Sequence, residues 1–256
     1  MFLYGVVNAS PDSLSTASIA TTVDAAVARA RSLLADGADA IDLGGQGSTD
    51  VAEVVDPAVE WERLADLVPA LATLGVELSI DSWRPQVVRR ALDAGATVIN
   101  AADGMQHDEM WEVAAEFDVP IVVPFLSGPN PREMALVTRD PLRAMSEYFE
   151  ARLAQADRYG ARARCVLDPG TGFAPPGWPW ERRFEYQKRV YSNLDELREF
   201  GLPIYIALPW KETAQHDELL EIVVDQRPEF GRAHHPAKIR RVQAERGVRP
   251  PAGDQT

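Results

Sequence analysis

The chain has 256 residues, of which 46% are hydrophobic and 25% are charged, a balance typical of a globular protein with a large buried core. Its formal net charge of −13 opposes non-specific binding to nucleic acid or to anionic lipid. No apolar run approaches the ~18 residues that cross a bilayer, and the lone cysteine, Cys165, excludes an internal disulfide framework. We therefore expect a cytoplasmic protein with neither nucleic acid nor a membrane as partner.

Short apolar strands alternate with amphipathic helices along the chain. The run that ends at Asn8 predicts the first strand, and apolar residues at helical spacing predict a helix over 23–36 that Gly37 ends. The later strands are predicted at 40–43, 76–81, 97–100, 120–125, 165–168, 203–208 and 229–234. The later helices are predicted at 57–74, 85–94, 108–117, 141–159, 181–200, 212–225 and 236–246.

This alternation predicts parallel strands joined by helices, either closed as a barrel or open as a doubly wound sheet. Polar residues end many of the strands, and no Gly-x-Gly-x-x-Gly follows the first one, which favours the barrel. We therefore predict a (β/α)8 TIM barrel with a shortened region around the seventh helix and eighth strand. It is predicted as a single domain over 1–246, followed by a flexible C-terminal tail over 247–256.

The segment after the sixth predicted strand has the composition of a ligand site. Asp168 ends an apolar run and is followed by Pro169, which cannot continue a ladder, and by Gly170 and Gly172, which allow close backbone approach. In a barrel such strand ends meet at one face, which is where barrel enzymes bind their substrates. A buried aspartate at this place is alternatively a structural acceptor for backbone donors.

Two further loops offer polar groups at the same predicted face. Residues 8–13 place an amide, a hydroxyl and a carboxylate in a turn held by Pro11, and the alternative is an Asx turn that caps the rim. Residues 42–50 contain three glycines and two hydroxyls, Ser48 and Thr49, suited to an anion. A flexible loop without a ligand is the alternative for this second segment.

Together these segments resemble dihydropteroate synthase, a (β/α)8 barrel of folate biosynthesis, over nearly the whole chain. Residues 8–14 resemble the family's Asn-x-Thr/Ser-Pro-Asp-Ser-Phe motif, and residues 37–50 resemble its Gly-Ala-Asp-x-Ile-Asp-x-Gly-Gly-Glu-Ser-Thr-Arg motif. Further matches lie at 79–82, 99–100, 168–173, Lys211 and 232–234. The resemblance implies the barrel fold, a transferase activity and the homodimeric assembly common in that family.

The resemblance also implies four pterin-binding residues. Asp81, Asn100 and Asp168 supply oxygen acceptors for the guanidine-like edge of a dihydropterin ring, which is lined with N–H donors. Lys211 supplies a donor for the ring carbonyl.

The resemblance places the pyrophosphate of the substrate against Ser48, Thr49, Arg232 and His234, where a histidine cation would favour phosphate. It implies one Mg²⁺, held by Asn8, that neutralises charge as the C–O bond breaks. In the family p-aminobenzoate then attacks the pterin methyl cation. Because that reaction asks for orientation and charge stabilisation, no residue need be a covalent catalyst.

Several positions depart from the family pattern, mostly on the pyrophosphate and p-aminobenzoate side. Asp50 replaces an arginine, Ala101 replaces an aspartate, and Trp210 replaces the arginine of a Ser-Arg-Lys element. Trp210 either stacks on a flat ligand or packs under a loop. The pterin side is largely retained, so the identity of the acceptor stays open.

Two alternatives to a synthase stay open, and the departures motivate the first of them. The first is a pterin-binding paralogue that lacks classical synthase activity or uses a different acceptor. The second is the pterin domain of a corrinoid-linked methyltransferase, which the lack of a recognisable cobalamin-binding segment disfavours. His107 and His216 are expected at the surface, since no His/Asp/Glu spacing resembles a zinc site.

Overall fold

The computed structural model describes residues 1–11, 18–47, 52–131, 133–137, 139–173 and 177–248. Within these residues the strands form one sheet of eight, in which every paired neighbour runs parallel. The strands are β1 Phe2–Asn8, β2 Ala40–Gly44, β3 Leu78–Ser82, β4 Val98–Ala101, β5 Ile121–Pro124, β6 Cys165–Asp168, β7 Tyr205–Ala207 and β8 Phe230–Ala233. Their order in the sheet is β6-β5-β4-β3-β2-β1-β8-β7.

The sheet closes on itself between β6 and β7. One parallel bridge joins Leu167 to Ile204, and the Leu167 N–H donates to the Pro203 carbonyl at 2.9 Å. On its other side β7, which has only 3 residues, pairs with β8, and β8 pairs with β1. The predicted (β/α)8 barrel is confirmed, and the thinnest part of its wall is the seam beside β7.

Helices surround the barrel and follow the strands in chain order. They are α1 Val23–Ala35, α2 Pro57–Leu64, α3 Leu67–Ala72, α4 Pro85–Asp93, α5 Asp108–Phe117, α6 Pro141–Arg158, α7 Trp180–Tyr191, α8 Asp195–Arg198, α9 Ala214–Gln226 and α10 Pro236–Glu245, with a 3₁₀ turn at Arg162–Arg164. Side-chain oxygens accept from first-turn N–H groups of α1, α2, α6 and α9 and so fix where these helices begin; they belong to Thr22, Asp56, Asp140 and Thr213.

Two helices that the sequence predicts as continuous are each divided in two. Pro69 lies in α3 and has no N–H to donate to the Ala65 carbonyl, and the chain turns at Ala65 and Asp66 between α2 and α3. Between α7 and α8 the Asn193 amide donates to the Arg189 carbonyl at 2.8 Å. That bond competes with the backbone ladder, which is a known effect of asparagine inside a helix.

The barrel interior has an apolar floor that is separate from the core beneath the helices. Its buried members come from six different strands: Tyr4, Ala40, Val98, Val122, Val166 and Tyr205. Side chains alternate between the two faces of a strand, so the residue two places further along each strand also points inward. This rule places Asp42 above Ala40, Asn100 above Val98 and Asp168 above Val166.

No helix among the described residues is both long and apolar enough to cross a membrane. Residues 249–256, which make up most of the predicted C-terminal tail, lie outside the described residues.

A tight turn after β6 holds the Asp168 carboxylate. The Gly170 N–H donates to Asp168 Oδ1 at 2.8 Å, and the Phe125 N–H donates to the Asp168 carbonyl at 2.8 Å. Gly170 has a φ of +65°, and a Cβ at that position would lie 2.0 Å from the Phe125 carbonyl oxygen. Only glycine fits here without displacing the end of β5.

We expect Gly170→Ala to lower the free energy of unfolding by more than Gly177→Ala does. Gly177 has a φ of +78°, but a Cβ added there would meet no described residue within 4 Å, so we expect its substitution to cost the left-handed backbone penalty of about 1–2 kcal/mol. Gly170→Ala adds the displacement of Phe125, a further ~1–3 kcal/mol. Urea unfolding of both variants measures the difference, and equal losses would contradict the close approach.

Candidate functional site

Asp42 is the centre of a hydrogen-bonded network just above the barrel floor. Its side chain is 0% exposed. Asp42 Oδ1 accepts from Ser79 Oγ at 2.7 Å and from Asn100 Nδ2 at 3.3 Å, and Oδ2 accepts from Arg232 Nε at 2.5 Å. One carboxylate therefore joins side chains from β3, β4 and β8.

Arg232 links this network to Asp81. Arg232 of β8 is paired with Tyr4 of β1, a member of the floor. Its side chain extends inside the barrel toward β3, where one terminal nitrogen donates to Asp81 Oδ2 at 3.0 Å. Burial lowers the pKa of Arg232, but the Asp42 and Asp81 carboxylates raise it by more, so the guanidinium stays charged. The interior thus holds one cation between two carboxylates.

Two carboxyl groups that the sequence assigns to the site have raised pKa values. Burial raises the pKa of Asp81 to about 7, although the Arg232 guanidinium lowers it. Burial also raises the pKa of Asp168 to about 7, against the lowering effects of the Gly170 N–H and the Arg232 charge. Asp168 is 5% exposed, and the Asp81 side chain is 21% exposed. Both groups would gain from a ligand that brings hydrogen-bond donors, because ionisation is costly without them.

Asn8 ends β1 and is paired with Gly44 of β2, which is in turn paired with Asp81 of β3. Asn8 Nδ2 donates to Ser18 Oγ at 2.6 Å, and a Cβ added to Gly44 would lie 3.6 Å from Asn8 Oδ1 and 3.7 Å from Asp81 Cβ. Within the described residues there is no group of three or more His, Cys, Asp or Glu that could hold a metal ion. A single neutral oxygen fits a Mg²⁺ that arrives with phosphate oxygens and keeps most of its waters, rather than an ion held by protein ligands alone.

Lys211, Trp210 and His234 form a second group on the side of β7 and β8. The Lys211 ammonium lies over the Trp210 ring, 5.7 Å from its centroid, and the Trp210 and His234 ring centroids are 5.3 Å apart. Trp210 is half-buried and packs on a protein side chain, whereas Lys211 is exposed. The contacts of Lys211 are therefore with this aromatic group and not with the carboxylates above the floor.

His234 differs from the histidine cation that the sequence predicts. Burial lowers its pKa to about 3, helped by the charges of Arg232, His235 and Arg29. Arg29 comes from α1 and donates from Nη2 to the His234 carbonyl at 2.9 Å. A neutral imidazole can still donate one hydrogen bond to a phosphate, but it brings no charge.

Ser48 and Thr49, which the family resemblance assigns to pyrophosphate, lie outside the described residues, as does Asp50. The residues on either side of them are fixed. Gln46 Nε2 donates to the Glu53 carbonyl at 2.6 Å, and its Oε1 accepts from the Val55 N–H at 2.9 Å. The base of this loop is therefore closed by one buried glutamine.

Three polar residues close to the proposed binding groups were not among those predicted for the site. Asp42 and Ser79 form the network above the floor, and Arg63 of α2 donates to the Gly45 carbonyl at 3.0 Å and to Ser10 Oγ at 3.4 Å. The sequence does point to Asp42, because a carboxylate in the middle of an apolar strand needs a hydrogen-bonding partner. The sequence does not point to Arg63, since its contacts depend on how α2 packs against two loops.

The expectation that His216 is exposed is wrong. Its ring is stacked on Trp180 with centroids 4.3 Å apart, and its Nδ1 lies 2.7 Å from Thr213 Oγ1. It therefore helps to begin α9. His107 is exposed, as expected.

Comparisons with known proteins agree with the geometry. A family model described as "Pterin binding enzyme" matches residues 4–235. The dihydropteroate synthase of Synechocystis sp. is 32% identical over 210 residues, which cover 80% of this chain and 70% of that protein. Dihydropteroate synthase type-2 of Escherichia coli is 33% identical over 215 residues, covering 82% and 77%. Dihydropteroate synthase from Thermus thermophilus, solved in complex with 4-aminobenzoate, matches with a TM-score of 0.79 and 27% identity, over 97% of this chain and 94% of that one.

The closed barrel and the acceptors at its mouth define a pterin-binding enzyme of the TIM-barrel class. The chain belongs to the dihydropteroate synthase family, whose members are transferases of folate biosynthesis.

We expect the His234 imidazole to stay neutral between pH 5 and pH 8 in the ligand-free protein. Because its pKa is lowered to about 3, the folded state resists its protonation until well below this range. Two-bond ¹H–¹⁵N spectra of labelled protein report the ring protonation, and His234→Gln identifies the signal. A His234 titration with a midpoint above pH 6 would show that the surrounding cations do not act on it as the structure indicates.

Proposed function

We propose that this protein is a dihydropteroate synthase that condenses 6-hydroxymethyl-7,8-dihydropterin pyrophosphate with p-aminobenzoate and releases pyrophosphate. The observation that carries the proposal is the convergence of Asp81, Asn100 and Asp168 above the floor of one barrel. Relatives at 32% and 33% identity are dihydropteroate synthases, and the Thermus thermophilus relative binds 4-aminobenzoate, which supports the same reaction here.

The pterin is proposed to bind with its guanidine-like edge against these three side chains. Each N–H of that edge then meets a carboxylate or amide oxygen, and the flat ring lies above the apolar floor. The two carboxyl groups with raised pKa values become ionised when the donors arrive, because a hydrogen bond to the charged form favours it. Lys211 would have to leave Trp210 to reach the ring carbonyl, so its role requires a side-chain movement that the other three do not need.

The pyrophosphate is proposed to bind on the side of β8 and the first two loops. Arg232 supplies the fixed positive charge, His234 donates one hydrogen bond as a neutral imidazole, and Ser48 and Thr49 supply hydroxyls. A Mg²⁺ held by Asn8 and the phosphate oxygens would neutralise charge on the leaving group. Asn8 Nδ2 donates to Ser18 Oγ, which fixes the orientation of the amide, and an amide oxygen is among the ligands that Mg²⁺ accepts.

The reaction then needs no nucleophilic side chain. The C–O bond to pyrophosphate breaks with both electrons leaving on pyrophosphate, and the amine nitrogen of p-aminobenzoate then forms a C–N bond to the resulting pterin methyl cation and releases one proton. The protein holds the two reactants in line and stabilises the departing anion. We propose a cytoplasmic location and a homodimer for the enzyme, in line with the lone buried Cys165 and with its family.

One observation favours the second candidate, a pterin-binding paralogue with another acceptor. Trp210 fills the space beside His234 with an indole, and Lys211 lies over that ring. An acceptor with a different charge or shape would be selected there, while the pterin half of the pocket stays the same.

Purified protein with both substrates and Mg²⁺ is expected to release pyrophosphate and to form dihydropteroate. Asp168→Asn should weaken pterin binding by on the order of 10–100-fold, because one charged hydrogen-bond acceptor is lost. Coupled pyrophosphate detection and calorimetry measure the two effects. Saturable pterin binding without pyrophosphate release would favour the paralogue, and no pterin binding at all would sink both candidates.

We expect pterin affinity to fall as the pH drops below about 7. The ligand edge requires ionised carboxylates, and below this pH the ligand-free protein increasingly holds a proton on Asp168 and on Asp81. One such group makes Kd rise about tenfold per pH unit, and two make the rise steeper. Calorimetry in buffers of different ionisation enthalpy counts the protons released. A Kd that is constant from pH 5.5 to pH 8 would contradict the raised pKa values.

A further inference from the structure

Asp42 lies beneath the proposed pterin residues rather than among them. In the register of the sheet it stands opposite Val6 and Ser79, two residues before the level at which Asn8, Gly44 and Asp81 are paired. It is fully buried, and both of its oxygens are used by protein donors. A direct contact with a ligand at the barrel mouth is therefore not its role.

The first consequence of Asp42 concerns which way the Asn100 amide faces. An ionised carboxylate accepts hydrogen bonds and cannot donate them, so Asn100 must turn its NH₂ group toward Asp42 Oδ1. Asn100 Oδ1 is then directed away from the network, and it can meet an N–H donor of a pterin. With a donor at position 42 the amide would rotate and present NH₂ to the donor edge of the ligand instead.

The second consequence concerns Arg232. Asp42 Oδ2 accepts from Arg232 Nε at 2.5 Å, and in this orientation Arg232 contacts Asp81 through one terminal nitrogen, at 3.0 Å. A guanidinium without Asp42 could rotate to pair with Asp81 through two nitrogens, as arginine does with isolated carboxylates. Such a pair would occupy the oxygens that the ligand edge needs.

We propose that Asp42 is the positioning residue of the pterin pocket, setting Asn100 as an acceptor and holding Arg232 off one side of Asp81. The inference rests on the proposed pterin binding, and it adds a residue that touches no ligand. It accounts for one buried carboxylate that accepts hydrogen bonds from side chains of three strands, Ser79 of β3, Asn100 of β4 and Arg232 of β8.

The test is a reciprocal exchange of the two functional groups, read by calorimetry with 6-hydroxymethylpterin. D42N presents NH₂ to Asn100 while its oxygen still accepts from Arg232, so it should weaken pterin binding by on the order of 10–100-fold. N100D added to D42N restores one donor facing one acceptor and turns an oxygen to the ligand, so D42N/N100D should bind at least fivefold more tightly than D42N. The KM for p-aminobenzoate should change less than twofold in all variants.

Ser79→Ala is the matched control, because it removes one donor to Asp42 and leaves the Asn100 and Arg232 contacts in place. It should weaken pterin binding less than threefold. If thermal denaturation shows that D42N is not folded, N100D and D42N/N100D provide the same comparison. The double variant is then expected to bind pterin more tightly than N100D.

The outcomes separate the two proposals. Wild-type protein that binds no pterin overturns the proposed function. Wild-type protein that binds pterin, with D42N within twofold of it or with no recovery in the double variant, overturns the positioning role of Asp42 alone.

Discussion

One guanidinium shared between two interior carboxylates governs the chemistry of this barrel. Removing charges from water is costly, and the cost is offset only when each charge has well-placed partners. Asp42 accepts side-chain hydrogen bonds from Ser79, Asn100 and Arg232, whereas Arg232 gives Asp81 one. At Asp168 burial raises the pKa, and the Gly170 N–H and the Arg232 charge lower it by less. A ligand rich in N–H donors would give Asp81 and Asp168 further hydrogen bonds, which is the physical reason that we propose a pterin edge as the ligand of this pocket.

The apolar floor strengthens the hydrogen bonds that the carboxylates above it make. Tyr4 and Tyr205 pack with ring centroids 5.8 Å apart, and Phe2 and Phe230 pack below them at 5.9 Å, so the lower half of the barrel is filled by side chains. Water is excluded beneath the carboxylates, and a low local dielectric strengthens each hydrogen bond made there. The same exclusion raises the pKa of both acidic groups. The proposed recognition of the ligand and its expected pH dependence thus have one cause, the burial of these carboxyl groups.

The sequence predicted what depends on local pattern and failed where distant segments meet. Asp168 was predictable, since proline and glycine directly follow an apolar strand. The role of Asp42 was not, because it depends on a strand register that brings Arg232 from 190 positions away. The neutral state of His234 was equally hidden: the Arg29 charge that helps to suppress its protonation lies 205 positions earlier, on α1. The sequence predicted one continuous helix over 181–200. The spacing of apolar residues gives no sign that the Asn193 side chain donates to the Arg189 carbonyl, the bond that lies between α7 and α8.

The two halves of the proposed site are built on different kinds of structure. Asp81 and Asn100 belong to β3 and β4, which pair with a strand on both sides. Asp168 ends β6, where it pairs with β5 on one side and lies next to the Leu167–Ile204 bridge on the other. Trp210 and Lys211 lie in the connection between β7 and α9, where no ladder restrains them. Strands tolerate few substitutions without losing register, whereas a loop on a rigid scaffold tolerates many. A substitution at Trp210 would therefore leave the strands in register, so the proposed acceptor side can vary while the proposed pterin side is retained.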